Sequence, residues 1–181
     1  MAQVESRFNS VEEIPEMGSY TNDRPAILFL CLGNICRSPL AEGAARTAFA
    51  EAGIAARIDS AGTGDWHVGR PPDRRAQAEA RRRGTDISDL RGRQLAAEDF
   101  YRFDLILAAD TTNLREARAL APPDATARVR LMLDLVPGRR GESVTDPYYG
   151  ADDGFAATWA DVSAVAAALV AETSSRKRAT G

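Results

Sequence analysis

One junction constrains this chain more than any other feature. Ala26 to Leu32 (AILFLCL) is an unbroken apolar run that stops at Gly33. A run with no polar alternation fits a strand buried on both faces of a parallel sheet. Shortly after it, Ser38-Pro39 opens a stretch in which Leu40, Ala44, Ala48 and Phe49 supply an apolar stripe before Gly53. Serine at the cap, proline at the first helical position and glycine at the end predict a helix between them. A buried strand that turns directly into a helix is the first half of a βαβ unit, and the rest of the chain has to complete it.

The remaining pattern does so. Ala56 to Ala61 predicts a second strand, and Asp73 to Arg83 a helix stopped by Gly84. A short helix is expected at Ala96 to Phe100 and a third buried strand at Phe103 to Ala109. Asp110 is placed to cap a helix over Thr111 to Leu120, ahead of Pro122-Pro123. Val129 to Leu133 predicts a fourth strand, Gly138 to Pro147 a loop, and Gly154 to Thr173 a closing amphipathic helix with Trp159 as a packing anchor. The expectation is a single α/β domain, a four-stranded parallel sheet with helices on both faces and right-handed crossovers. Residues 25–173 form that domain; 1–24 read as a flexible N-terminal extension and 174–181 as a polar, frayed tail.

Composition narrows the function classes. A net charge of −3 argues against a general nucleic-acid binder. No apolar run approaches the ~18 residues of a membrane span, so no membrane insertion is expected. The opening MAQVESRFNSVEEIPEMG has neither a basic n-region nor an apolar h-region, which makes a cytoplasmic location the expectation. Cys31 and Cys36 are the only cysteines and His67 the only histidine. That inventory suits neither a structural zinc site nor a disulfide scaffold; no metal or cofactor is expected, because backbone N–H groups and Arg37 would supply the charge stabilisation a metal otherwise provides.

The chemistry concentrates at the junction itself, Cys31-Leu32-Gly33-Asn34-Ile35-Cys36-Arg37-Ser38. It leaves the carboxyl end of a strand and enters a helix N-terminus, the place where open α/β folds bind ligands. A helix N-terminus and a tight loop present backbone N–H groups to an anion. Gly33 and Asn34 are residue types that tolerate a left-handed backbone. Arg37 adds a planar fork that matches two phosphate oxygens. Cys31 sits at the base of this cradle, where the positive field favours its thiolate, a nucleophile for phosphoryl transfer. Transfer from an alcohol or phenol needs an acid for the leaving group. Asp146 in Thr145-Asp146-Pro147-Tyr148-Tyr149-Gly150 is the better candidate, with His67 a surface modulator of the loop that also displays Trp66.

These residues carry a resemblance. CLGNICRSP followed by Ala41-Glu42, then Asp59-Ser60-Ala61-Gly62, Trp66 in a Gly-rich loop, Val68-Gly69 and DPYYG are similar to the low-molecular-weight protein tyrosine phosphatases, over about residues 26–172. The resemblance implies the family's Rossmann-like fold of phosphotyrosine protein phosphatase I type, and it implies roles. Cys31 would be the nucleophile, Arg37 the phosphate clamp, and Asp146 the acid and then the base. Leu32, Gly33, Asn34, Ile35, Cys36 and Ser38 would form the phosphate loop, with Asn34, Ser38 and Ser60 holding it. Trp66, Tyr148 and Tyr149 would wall the cleft, and Cys36 would form a reversible disulfide with Cys31. A monomer acting on tyrosine-phosphorylated proteins is implied. One departure is Arg83, where many members carry histidine, so the bracing of Asn34 is expected to differ. Two other functions fit the same scaffold. An arsenate reductase normally needs further cysteines, whereas both lie in one loop here; a phosphate-binding module without turnover would have no need of Cys31, Arg37 and Asp146 together.

Overall fold

The computed structural model describes residues 24–151 and 153–180, so the extension expected at the N-terminus lies, but for Arg24, outside the described residues. The apolar run becomes β1 (Ala26–Cys31), hydrogen-bonded on one side to β2 (Arg57–Gly62) and on the other to β3 (Leu105–Ala108), which pairs in turn with β4 (Arg128–Leu131). All three pairings are parallel, in the order β2-β1-β3-β4. Side chains alternate across a strand, and β1 divides accordingly. Ile27, Phe29 and Cys31 join the core under α1 (Arg37–Glu51) and α5 (Asp153–Thr180); Leu28 and Leu30 join the core on the other face, with Phe100 of α3 (Asp99–Arg102) and Ala117 of α4 (Thr111–Leu120). Both faces are covered, which explains why β1 shows no polar alternation.

This strand order places the topological switch between β1 and β3, where connections leave in opposite directions. The carboxyl ends of these two strands open a crevice at that point. Cys31 ends β1, and Asp110 follows β3 as the N-cap of α4, accepting from the Asn113 N–H at 2.8 Å.

Several boundaries differ from the sequence expectation, each for a local reason. Ser38 does not cap α1. Cys36 occupies the cap position, and the Ser38 hydroxyl turns to the Cys31 sulfur at 3.0 Å. Pro39 is tolerated as the third residue of the helix because first-turn N–H groups have no intrahelical partner. At the other end Gly53 takes φ +66°, and the Ile54 N–H closes on the Phe49 carbonyl at 2.9 Å. The second helix, α2 (Arg74–Arg82), is capped by Asp73. The short helix falls at Asp99–Arg102 instead of 96–100, and the last two residues expected of the fourth strand belong to a 3₁₀ turn, Met132–Leu135.

The tail beyond 173, expected to fray, continues α5 to Thr180. Thr173, Ser174 and Ser175 return their hydroxyls to carbonyls one turn back, and Arg176 pairs with Glu172. By length and composition α5 could cross a membrane, yet Phe155, Val162, Val165 and Leu169 are buried in the domain core, which makes it a core helix.

Gly62 ends β2 opposite Cys31, where the chain passes close to the loop after β1. A Cβ there would lie 2.8 Å from the Leu32 carbonyl and 3.1 Å from that of Gly64. Gly62→Ala is expected to lower stability by about 1–3 kcal/mol, seen as a lower urea midpoint. Gly150→Ala, whose Cβ meets only the Pro147 carbonyl at 3.6 Å, is expected to leave the midpoint unchanged.

Candidate active site

The loop after β1 is built around Asn34, which holds φ +55°, a left-handed conformation that an asparagine adopts more readily than most residues. Its buried side chain fixes that turn from three directions. The amide donates to Ser38 Oγ at 2.8 Å and to Ser60 Oγ at 2.9 Å, and its oxygen accepts from the Arg93 N–H at 2.9 Å. Ser38 in turn contacts Cys31 Sγ, so a continuous chain of hydrogen bonds runs from β2 to the sulfur. The backbone N–H groups of Gly33 through Ser38 meet no acceptor among the described residues. They form a nest around the helix N-terminus, suited to an anion.

Arg37 is the buried cation of the site. Its side chain is 4% exposed and bridges two carboxylates, Asp110 at 2.7 Å and Asp146 at 3.1 Å, while donating to the Val144 carbonyl at 3.2 Å. Burial opposes its charge, but Cys31, Asp110 and Asp146 outweigh that and hold it more firmly protonated than an ordinary arginine. Asp146 reaches the site from the loop before α5. Its other oxygen accepts from the Tyr148 N–H at 3.1 Å, an Asx turn that sets the side-chain direction.

The two cysteines differ sharply. Burial pushes the Cys36 thiol well above its ordinary value, and the charges of Asp73, Cys31 and Asp146 push it the same way. Cys36 is therefore a neutral thiol beside the cradle, and Cys31 is the residue to which the hydrogen-bond chain leads.

A cleft of about 310 Å³ opens above Cys31. Leu32, Gly33, Ile35, Cys36 and Arg37 line its inner part; Trp66, His67, Asp146, Tyr148 and Tyr149 line the mouth. Tyr148 and Tyr149 meet edge to face at 4.8 Å between ring centroids. Trp66 is 67% exposed and rests on Gly64, where any Cβ would overlap its ring. Arg75 ties the acid loop down, donating to the Tyr148 carbonyl at 3.1 Å and stacking on Phe155, while the Asp73 N–H bonds the Ile35 carbonyl at 2.8 Å. Every site residue expected from the sequence thus falls in or directly behind one cleft.

Three groups escaped the sequence reading. Asp110 was expected only as a helix cap, yet its second oxygen anchors Arg37. Arg93 supplies the backbone bond to Asn34 while its guanidinium pairs with Asp59 and Asp99. Glu42 is buried behind Ser60, accepting its hydroxyl at 2.5 Å and paired with Arg46. Arg83 holds Glu79 at 2.9 Å and is not among the three partners of Asn34, which are Ser38, Ser60 and Arg93.

An α/β sheet whose switch-point loop joins a cysteine, an anion nest and a buried arginine defines a cysteine-based phosphate-handling protein. Comparison with known proteins identifies it further. The family model described as low molecular weight phosphotyrosine protein phosphatase matches residues 26–179, and the chain belongs to that family. A low molecular weight phosphotyrosine protein phosphatase of Schizosaccharomyces pombe is 44% identical over 132 residues, 71% of this chain and 84% of that one. A low molecular weight protein-tyrosine-phosphatase of Streptomyces coelicolor is 41% identical over 150 residues, 80% and 91% of the two chains. The crystal structure of YfkJ from Bacillus subtilis superposes with a TM-score of 0.79 at 34% identity, covering 87% of this chain and 99% of that one.

Glu42 carries a pH signature. Burial raises it to about 7, against the Ser60 hydrogen bond and the charges of Arg46 and Arg93, with Asp59 adding to the rise. A carboxyl raised in the folded state favours folding fully below its ordinary 4.5 and loses that advantage as pH climbs through 7. The loss amounts to about 3 kcal/mol. Glu42→Gln is expected to abolish it: relative to the variant, wild-type unfolding free energy should fall by that amount between pH 4.5 and 7.5 in urea titrations.

Proposed function

We propose that the protein hydrolyses phosphotyrosine in tyrosine-phosphorylated proteins, and aryl phosphates generally, through a cysteinyl-phosphate intermediate. The observation that carries this reading is the convergence, in one aromatic-walled cleft, of Cys31, the unpaired N–H groups of its loop, Arg37 and Asp146.

The phosphate dianion settles on the N–H nest with its oxygens toward Arg37, whose plane Asp110 fixes. The Cys31 thiolate, stabilised by the Ser38 hydroxyl, attacks phosphorus. The bond from phosphorus to the phenolic oxygen breaks as Asp146 delivers its proton to that oxygen. In the second step Asp146 takes a proton from water, the water oxygen attacks phosphorus, and the S–P bond breaks to release inorganic phosphate and the thiolate. The nest and Arg37 stabilise the charge on the three equatorial oxygens in both steps. Trp66, Tyr148 and Tyr149 pack the ring of a phosphotyrosine, whereas the shorter phosphoserine would leave these walls uncovered. All groups come from one chain, so a monomer suffices. An arsenate reductase would need a further cysteine to carry the disulfide outward, and Cys31 and Cys36 are the only two in the chain.

The leaving group tests the assignment. Cys31→Ser is expected to lose all but a few per cent of p-nitrophenyl phosphate turnover while still binding vanadate or phosphate. Asp146→Ala should slow phosphotyrosine, whose parent phenol has a pKa of ~10, by about 10²–10⁴-fold. The better leaving group p-nitrophenol should suffer less. Equal losses on both substrates would remove Asp146 from the acid role.

A redox role for Cys36 belongs to the same reading. Peroxide converts the Cys31 thiolate to a sulfenic acid, which condenses with the neutral Cys36 thiol, losing water and forming a disulfide that a dithiol reduces. A reducing compartment, the cytoplasm, keeps the enzyme active. Cys36→Ser is expected to retain basal activity but to recover poorly with dithiothreitol after peroxide, measured by return of p-nitrophenyl phosphate hydrolysis; recovery equal to wild type would refute protection by Cys36.

A further inference from the structure

A second hollow, about 390 Å³, lies beside the cleft, and Leu32 and Trp66 line both. These two side chains are therefore the partition between them. The far wall is α4, where Glu116 and Leu120 stand one turn apart on a single face. Three large apolar side chains that border the hollow are open to solvent: Leu32 at 42%, Trp66 at 67% and Leu120 at 46%. Single exposed hydrophobes are ordinary on a protein surface, but several around one concavity mark a contact surface. Thr63 also lines the hollow, and its buried hydroxyl has no hydrogen-bond partner among the described residues. The one charged residue on the rim is Glu116.

The shared partition specifies what lies there. A phosphotyrosine whose ring enters the cleft leaves its backbone at the mouth, against Trp66. An extended chain advances ~3.3–3.6 Å per residue and turns alternate side chains to the same side. The second residue from the phosphotyrosine therefore faces the protein as the phosphotyrosine does, about 7 Å away, on the other side of the Leu32–Trp66 partition. We propose that this hollow is a specificity subsite, taking a large apolar side chain two residues from the phosphotyrosine of a substrate and disfavouring an acidic one there. The proposal rests on the phosphotyrosine phosphatase reading above. Leucine or methionine would pack against Leu32, Trp66 and Leu120; aspartate or glutamate would face Glu116, the charged residue of the lining.

The test is kcat/KM for phosphotyrosine peptides carrying Leu, Ala or Asp at the second position on either side, with p-nitrophenyl phosphate as the substrate that cannot reach the hollow. The wild type is expected to favour Leu over Ala by roughly 5–20-fold at one of the two positions, the yield of partly burying an aliphatic side chain, and to disfavour Asp there. Leu120→Asp should erase the Leu preference while p-nitrophenyl phosphate turnover stays within about twofold. Glu116→Lys, an exposed substitution that does not threaten the fold, should turn the penalty on Asp into a preference. No discrimination at either position, or discrimination that both variants leave intact, overturns the subsite while the phosphatase reading stands. Turnover of p-nitrophenyl phosphate with no cleavage of any phosphotyrosine peptide would overturn both.

Discussion

The site depends on burying one positive charge. A guanidinium withdrawn from water costs several kcal/mol unless counter-charges and hydrogen bonds replace its hydration. Arg37 meets that requirement through Asp110, Asp146 and the Val144 carbonyl, which come from two separated parts of the chain, the end of β3 and the loop before α5. Its position one residue after the loop draws the end of β3 and the loop before α5 toward the end of β1. The sheet order makes this possible, since β3 is the direct neighbour of β1 and ends beside Cys31. Removing Asp110 or Asp146 would leave Arg37 under-compensated, so both carboxylates are part of what holds the cradle together.

The two carboxylates divide the work. Asp110 is two-sided: one oxygen caps α4 and the other fixes Arg37, so its position is set by backbone and cannot drift. Asp146 sits on a loop, holds Arg37 at the longer distance of 3.1 Å and is 43% exposed. Asp146 therefore faces both the guanidinium and the open cleft. Its range is limited by the Asx turn to Tyr148 and by the hold of Arg75 on the Tyr148 carbonyl.

Much of this was legible in the sequence because it is local. The apolar run of β1, the loop with its cysteine and arginine, and the helix that follows lie within a single strand–loop–helix unit. The DPYYG stretch is likewise local, and it carries Asp146 and both tyrosines to the mouth of the cleft. What was not legible depends on strand order. Nothing near Asp110 says that β3 will lie beside β1, and nothing near Glu42 or Arg93 says that each will stand behind Asn34. The failure at Ser38 is of another kind. The residue type was right for a helix cap, but a cysteine sulfur and an asparagine amide competed for its hydroxyl and won, leaving the first-turn N–H groups free to form the nest. An orthodox cap would have spent one of those donors on the protein itself. Polar composition after 173 does not by itself end α5: the serine hydroxyls point back to carbonyls one turn earlier, and Arg176 pairs with Glu172 along the helix.

The same loop gives its two cysteines different surroundings, and geometry does this without any difference in residue type. Cys31 ends a strand and faces Ser38, whose hydroxyl also takes the Asn34 amide proton, so the hydroxyl hydrogen is free to point at the sulfur. Cys36 is packed into the core cluster under α1, near the negative charges of Asp73 and Asp146, and its proton stays on. Negative charge on Cys36 would stand against Asp73 and Asp146 and against any anion held by the nest. Burial and those neighbouring carboxylates thus keep the Cys36 proton in place beside the nest, and the two sulfurs of one short loop sit in different surroundings.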